Sequence, residues 1–225
     1  MTTNRMLVFA PSEIYHVFNR GVERRPIFTN KREYERMVES MRYYRFANVP
    51  MRYSQLITLP DEKQKQVWDR LKTRDNYEVI LIAYVLMPNH FHIVLKQIND
   101  QGVSRFLSNI SNSFTKYFNT KHQRPGPLLQ GPFKAVRVET DEQLLHLTRY
   151  VHLNPVASFL IEPEELDNYP WSSLPEYLTI PHKEFLCDTT FIGNFFPKKD
   201  QYRVFVYDQI GYAREIEKIK HLTFE

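Results

Sequence analysis

The 225-residue chain contains a single cysteine, Cys187. One thiol excludes an internal disulfide and a cysteine-based zinc site, and it is typical of a reducing compartment. No apolar run approaches the roughly 20 residues that span a bilayer, and the first residues, MTTNRMLVFAPSE, lack the features of a signal peptide. With 42% hydrophobic and 25% charged residues, the composition predicts a cytoplasmic globular protein without a membrane partner.

Acidic residues are absent between Gln101 and Arg137. This stretch instead mixes aromatic residues with six basic ones, namely Arg105, Lys116, Lys121, Arg124, Lys134 and Arg137. Cations neutralise phosphates and aromatic rings stack on bases, so the composition suits a nucleic-acid surface. An amphipathic helix with a basic solvated face explains it equally well. A second basic cluster, with Arg20, Arg24 and Arg25 in NRGVERRPIF, favours nucleic acid and predicts association with the nucleoid.

Hydrophobic periodicity predicts the order β-α-(insertion)-β-β-α-β-α. The predicted strands cover residues 14–20, 77–86, 90–96 and 133–139. The predicted helices cover 31–46, 103–119, 140 to about 154, and about 198–221, the third ending before Pro155 because proline disfavours helical geometry in the preceding residue. The order predicts an α+β fold of ferredoxin-like kind, a central antiparallel sheet flanked by helices. We expect one domain over 1–180, with an insertion at about 47–75, and a helical C-terminal extension over 181–225.

Two histidines lie two residues apart in the apolar stretch MPNHFHIVL. Because side chains alternate across a strand, His90 and His92 share one face, and Phe91 and Ile93 share the other. A buried imidazole needs a polar partner or a metal ion. The spacing alone is a weak signal, but its position in an apolar strand predicts a metal-binding or catalytic role.

The helix that begins near Thr140 offers further polar groups. Its residues Gln143, His146, Tyr150 and Asn154 recur at intervals of three and four, so they form one line along the helix. Tyr150 and Asn154 therefore point the same way, and could meet whatever the histidines hold. A cation could neutralise charge on a phosphodiester while the phenol attacks phosphorus. Tyr117 is the main rival nucleophile, but its position in an apolar stripe predicts a core residue.

The sequence resembles the REP-associated tyrosine transposases, a branch of the single-tyrosine HUH transposases of IS200-like type. HUH denotes two histidines around a bulky apolar residue. The likeness covers about residues 15–178, in the blocks YHVFNRG, YVLMPNHFHIVLK, KYFNTKHQRPGPLLQGPFKAVRVETDEQLLHLTRYVHLNP and NYPWSSLPEYL. It implies an HUH fold, a divalent cation (Mg²⁺ or Mn²⁺), and cleavage and rejoining of single-stranded DNA, often near short hairpins.

The resemblance assigns roles residue by residue. His90 and His92 match the histidine pair that binds the metal ion, and Tyr150 matches the nucleophile that forms a 5′-phosphotyrosine. Asn154 stands where other single-tyrosine transposases usually have Gln as a third ligand, and the resemblance implies the same role for it, with a side chain one methylene shorter. Pro132 also departs from the family, whose members often have Arg there.

Two other functions remain open on the sequence alone. A metal-dependent phosphodiesterase could use the histidines to activate water and would not need Tyr150. A domesticated DNA-binding protein could retain hairpin recognition without cleavage, although it has no reason to keep the four polar residues together. A homodimer is the candidate assembly, and the sequence leaves open whether one subunit or two build an active site.

Overall fold

A computed structural model describes residues 8–74, 76–179 and 185–222. In it, four strands form one antiparallel sheet in the order β2-β3-β1-β4. The strands are β1 Ile14–Arg20, β2 Val79–Met87, β3 His90–Gln97 and β4 Lys134–Val138. Only the two residues of the Pro88-Asn89 turn separate β2 from β3, as in a tight hairpin. The predicted α+β fold with a central antiparallel sheet is confirmed.

Helices connect and flank these strands. They are α1 Lys31–Tyr44, α2 Tyr53–Leu56, α3 Asp61–Arg74, α4 Gly102–Lys121, α5 Asp141–Ala157, α6 Leu174–Leu178, α7 Thr190–Gly193, α8 Lys199–Tyr207 and α9 Ile210–Leu222. Short 3₁₀ helices occupy Val22–Arg24 and Pro163–Asn168. None of the helices in the described ranges has the length and apolarity needed to cross a membrane.

The chain divides into two compact units, to which β2 and β3 both contribute residues. The first comprises Met1–Ile80, Pro88–His90 and Leu95–Arg137, and the second comprises Leu81–Met87, Phe91–Val94 and Val138–Glu225. The predicted domain boundary between residues 180 and 181 lies outside the described residues, as does residue 75 at the end of the predicted insertion. The domain at 1–180 and the extension at 181–225 therefore stay predictions.

Within the first unit, the pairing of β1 with β3 has a defined register. Two backbone hydrogen bonds set it, one at each end: Gln97 N to Glu13 O (2.9 Å) and Gly21 N to Asn89 O (2.8 Å). The two bonds are the same number of residues apart on β1 as on β3, so neither strand has an extra residue between the bonds. Arg20 consequently lies opposite His90 and on the same face of the sheet.

Three sequence predictions need correction. Helix α5 continues past Asn154 to Ala157, with Pro155 in its last turn. There the proline removes only one backbone hydrogen bond, and Arg214 Nε donates to the carbonyl of Val156 (3.2 Å). The single helix predicted near 198–221 is two helices, α8 and α9. Tyr117 is half-buried rather than a core residue, and the guanidinium of Arg36 lies 5.3 Å from its ring.

Helices α1 and α5 differ in how their N-terminal ends are capped. Asn30 is the N-cap residue of α1, although its side chain does not cap the backbone. Thr140 Oγ1 accepts from the backbone N–H of Gln143 (3.1 Å), and Gln143 Oε1 accepts from the N–H of Glu139 (2.9 Å). Satisfying one of the open donors at this helix end, and bonding the residue that precedes the N-cap, fixes where α5 begins.

A buried carboxylate connects α1 to α4 in the first unit. Glu33 is fully buried and accepts hydrogen bonds from Lys121 Nζ (2.8 Å) and Thr29 N (2.6 Å), while His122 Nε2 lies 2.7 Å from its Oε1. Burial alone raises the pKa of this carboxyl group, but hydrogen bonds from Lys121, Thr29 and His122 outweigh burial and lower the pKa from 4.5 to about 2. The ionised form therefore stabilises the fold.

We predict that Glu33→Gln destabilises the protein at pH 7, by up to about 3 kcal/mol. The folded-state pKa is depressed, so this contribution is fully present above about pH 4.5 and is lost as the pH falls toward 2. Urea unfolding measured from pH 6 down to pH 3 should show the wild-type and variant free energies converging. Glu35→Gln, which alters an exposed pair with Lys31, should have little effect, and equal losses for both variants would contradict the assignment.

Candidate active site

His90 is held at the start of β3 by the turn that precedes it. Its Nδ1 lies 2.6 Å from Asn89 Oδ1, and Asn89 Nδ2 donates to the carbonyl of Arg24 (3.2 Å). The second bond orients the amide with Oδ1 toward the imidazole, so Nδ1 carries the ring proton. His90 Nε2 then carries the lone pair. Metal-binding histidines commonly have such an acceptor on the nitrogen that does not bind the metal.

His92 and Tyr150 contact each other in the second unit. Their ring centroids are 5.5 Å apart, with an interplanar angle of 84°, an edge-to-face arrangement. The histidine is 7% exposed and the tyrosine 45% exposed. The imidazole is therefore largely shielded from water, whereas the phenol remains accessible to a macromolecule.

Asn154, one turn after Tyr150, is buried at 9% exposure. Its Nδ2 donates to the backbone carbonyl of Tyr150 (2.9 Å). This bond fixes the orientation of the amide, and the carbonyl oxygen Oδ1 is the atom with ligand character. The other two members of the predicted polar line, Gln143 and His146, are exposed.

These side chains have the donor types that a divalent cation needs. Within residues 8–74, 76–179 and 185–222, no group of three or more His, Cys, Asp or Glu side chains could hold a metal ion. The candidate ligands are the imidazoles of His90 and His92 and the amide of Asn154, and an amide is not among those residue types. Imidazole nitrogen suits transition ions and amide oxygen suits hard cations, so Mn²⁺ matches this mixed set better than Mg²⁺.

The basic residues predicted to bind DNA differ in how their charges are used. Arg105 makes a bidentate ion pair with Glu78 (2.6 and 2.9 Å). Three more of these residues form an ion pair with an acidic residue: Lys121 with Glu33, Arg137 with Glu13, and Arg25 with Glu23. Arg124 donates to Asn119 Oδ1 and Pro127 O, and Arg20 Nε donates to Gln130 Oε1. Arg24, Lys116 and Lys134 are exposed, and none has an acidic partner in the described part of the chain.

Two residues near the site escaped the sequence analysis. From the sequence, Asn89 was interpreted only as a turn residue, although its position directly before His90 indicates that it could contact that imidazole. His152 is fully buried in α5, with ring nitrogens bonded to the phenol of Tyr202 and the hydroxyl of Ser173. Its four-residue spacing from the buried Thr148 already places it on the packed face of the helix.

The fold and these side chains define an α+β protein whose sheet carries a histidine pair and whose helix α5 presents a tyrosine to one member of that pair. The family model described as "Transposase IS200 like" matches residues 37–154, just over half of the chain. The chain therefore belongs to the IS200-like transposase family. No curated protein matches it significantly.

One solved structure supports the fold assignment. It is described as "Structure of the REP associates tyrosine transposase bound to a REP hairpin", and the likeness covers 84% of this chain and 94% of that chain with a TM-score of 0.51. The two sequences are 15% identical, so the likeness shows a shared fold. The resemblance noted from the sequence motifs is thereby confirmed at the level of family and fold.

We predict that Arg105 is a stabilising residue rather than a phosphate contact. Arg105→Gln leaves Glu78, which is 7% exposed, without its cationic partner, and should destabilise the protein by about 1 to 2 kcal/mol in urea unfolding. Lys116→Gln removes an exposed charge from the same helix and should change stability by less than about 0.5 kcal/mol. Equal stabilities of the two variants would show that the ion pair contributes nothing measurable.

Proposed function

We propose that the chain cleaves and rejoins single-stranded DNA with Tyr150 as the nucleophile and with a divalent cation bound by His90 and His92. The observation that carries this proposal is the contact between His92 and Tyr150 in the second unit. A phenol that attacks a phosphodiester must lie near the group that neutralises the phosphate and must also be reachable by DNA. Tyr150, at 45% exposure, meets both conditions.

The chemistry requires no nucleotide cofactor. The Tyr150 oxygen forms a bond to phosphorus and loses its proton, the bond from phosphorus to the 3′ oxygen breaks, and that oxygen takes up a proton to become a free 3′-hydroxyl. The product is a 5′-phosphotyrosine that conserves the energy of the broken ester. Attack by a 3′-hydroxyl on this phosphotyrosine restores Tyr150 and joins the strands.

His90 Nε2, a ring nitrogen of His92 and Asn154 Oδ1 would bind the cation, taken as Mn²⁺ or Mg²⁺. When bound, the ion supplies a Lewis acid that polarises a non-bridging phosphate oxygen. The alternation of β3 turns both imidazoles to the same face. The hydrogen bonds of Asn89 and Asn154 orient two of the three donor groups in advance, which reduces the ordering cost of binding.

The substrate is proposed to be single-stranded DNA that can form a hairpin. The relative of similar fold is described as bound to a REP hairpin, and the same substrate class is proposed for this chain. Arg24, Lys116 and Lys134 are the first candidates for phosphate contacts because no acid neutralises them in the described residues. Arg20, opposite His90 in the sheet, is a candidate for the phosphate being cleaved. Assembly as a homodimer and association with the nucleoid stay predictions.

We predict that the wild type, incubated with Mn²⁺ and a single-stranded hairpin oligonucleotide, forms a protein–DNA adduct that survives SDS. Tyr150→Phe should reduce the adduct below detection, because the variant has no oxygen nucleophile. Tyr117→Phe, the matched control, should retain it. Denaturing gels with end-labelled DNA measure both cleavage and adduct.

Each alternative function predicts a different experimental result. An adduct that persists in Tyr150→Phe would rule out this nucleophile. Cleavage without any adduct would indicate a phosphodiesterase that uses water. Salt-sensitive binding without cleavage would indicate a DNA-binding protein.

We predict that His90→Ala and His92→Ala each weaken Mn²⁺ binding by more than tenfold, as titrations of free Mn²⁺ followed by electron paramagnetic resonance would measure. Asn89→Ala should weaken it by about tenfold, because losing an oriented outer partner of a metal ligand typically has that effect. His146→Ala removes an exposed imidazole one turn before Tyr150 and should leave affinity unchanged. Unaltered affinity in both His90→Ala and His92→Ala would refute the metal site.

A further inference from the structure

His152 makes an unusually complete set of contacts for a residue so close to the proposed nucleophile. It lies two positions after Tyr150 in α5 and is fully buried. Its Nδ1 is 2.7 Å from the Tyr202 phenol oxygen in α8, and its Nε2 is 2.8 Å from Ser173 Oγ. The ring also packs edge to face against Tyr177, with centroids 5.1 Å apart.

Ser173 belongs to a segment that extends the edge of the sheet. Its backbone N–H donates to Tyr84 O in β2 (3.0 Å), and its Oγ accepts from Tyr84 N (2.9 Å). The adjacent residue Ser172 forms an antiparallel bridge with Val85. Ser173 Oγ is thus fixed to the strand next to β3, and any group bonded to it is tied to the sheet.

Both ring nitrogens of His152 have a partner in either neutral tautomer. Ser173 Oγ has one proton and lies 2.8 Å from His152 Nε2 and 3.3 Å from Tyr84 O, and the Tyr202 hydroxyl can donate to Nδ1 or accept from it. The imidazole therefore keeps both bonds whichever nitrogen carries its proton.

We propose that His152 is a positioning residue, whose hydrogen bond to Ser173 sets the rotation of α5 and thereby holds Tyr150 against His92. Residues two apart on a helix point about 200° away from each other, so a bond at His152 on one side fixes the direction of Tyr150 on the other. The bond to Tyr202 has a different role, which is to attach α8. This inference rests on the proposed function, since it concerns how the nucleophile is held.

Two substitutions separate the two bonds. In His152→Gln, the side-chain amide can reach the position of Nε2 and keep the bond to Ser173, while the bond to Tyr202 is lost. In His152→Asn, the side-chain amide replaces Nδ1 and keeps the bond to Tyr202, while the bond to Ser173 is lost. Both variants remove a buried ring, so they lose similar packing and serve as controls for each other.

The rate of adduct formation in a single turnover is the main measurement. His152→Asn should lower it by roughly 10- to 100-fold, whereas His152→Gln should stay within about threefold of wild type, because small displacements of a reacting group have effects of this size. DNA affinity should be the same in both variants. A purely structural role would lower both rates equally.

A second measurement does not depend on DNA cleavage. In nuclear magnetic resonance spectra, cross-peaks between the rings of His92 and Tyr150 should persist in His152→Gln and weaken in His152→Asn. If the wild type forms no adduct but the cross-peaks behave in this way, the proposed function fails and the positioning role stands. If the wild type forms the adduct and the two variants react equally, the positioning role is refuted and the function stands.

Discussion

The alternation of side chains along β3 is the constraint on which the candidate site depends. Phe91, Ile93 and Leu95 are fully buried, and three such side chains contribute on the order of 6 kcal/mol through removal of apolar area from water. That contribution is comparable to the net stability of a whole domain. A slip of one residue would move these side chains to the face that now carries the histidines and would put the histidines in their place. Hydrophobic burial thus determines which way the histidines face, without any interaction of the histidines themselves.

Helix α5 has to meet two opposite requirements, exposure and a fixed side-chain direction, within the three residues from Tyr150 to His152. In the proposed reaction Tyr150 must be exposed in order to reach DNA, yet its direction has to be defined. A long surface side chain on a loosely packed helix would satisfy only the first demand. The full burial of His152, with both of its ring nitrogens bonded, satisfies the second from the opposite side of the helix. Rigidity is therefore supplied by a residue that the substrate does not touch.

The local features of this structure and the class of its sheet could be predicted from sequence, whereas the long-range ion pairs could not. The strand of His90 and His92 followed from alternation, and hydrophobic periodicity placed the start of α5 within one residue of Asp141. The stretch from Gln101 to Arg137 looked uncompensated because it contains no acid. Three of its six charges are paired by acids far away in sequence, Arg105 by Glu78, Lys121 by Glu33 and Arg137 by Glu13. Composition within a window carries no information about such partners.

The same limit applies to the end of α5. Local propensity places it before Pro155, because proline restricts the residue that precedes it. The helix continues because Pro155 and Val156 are buried and because Arg214, more than 50 residues later, donates to the Val156 carbonyl. Burial of two apolar side chains and one hydrogen bond outweigh the loss of one backbone bond in a last turn.

The extra turn also changes the meaning of the asparagine at 154. Were the helix to end there, the amide would belong to a flexible terminus, and its reach, one methylene shorter than that of Gln, would be its main property. Inside a continuing helix, the short side chain bonds back to the carbonyl of Tyr150. A Gln at this position would extend further but would have an additional torsion to immobilise, which costs side-chain entropy. The asparagine side chain therefore reaches less far but has a fixed orientation, and it bonds the third proposed ligand directly to the backbone of the proposed nucleophile.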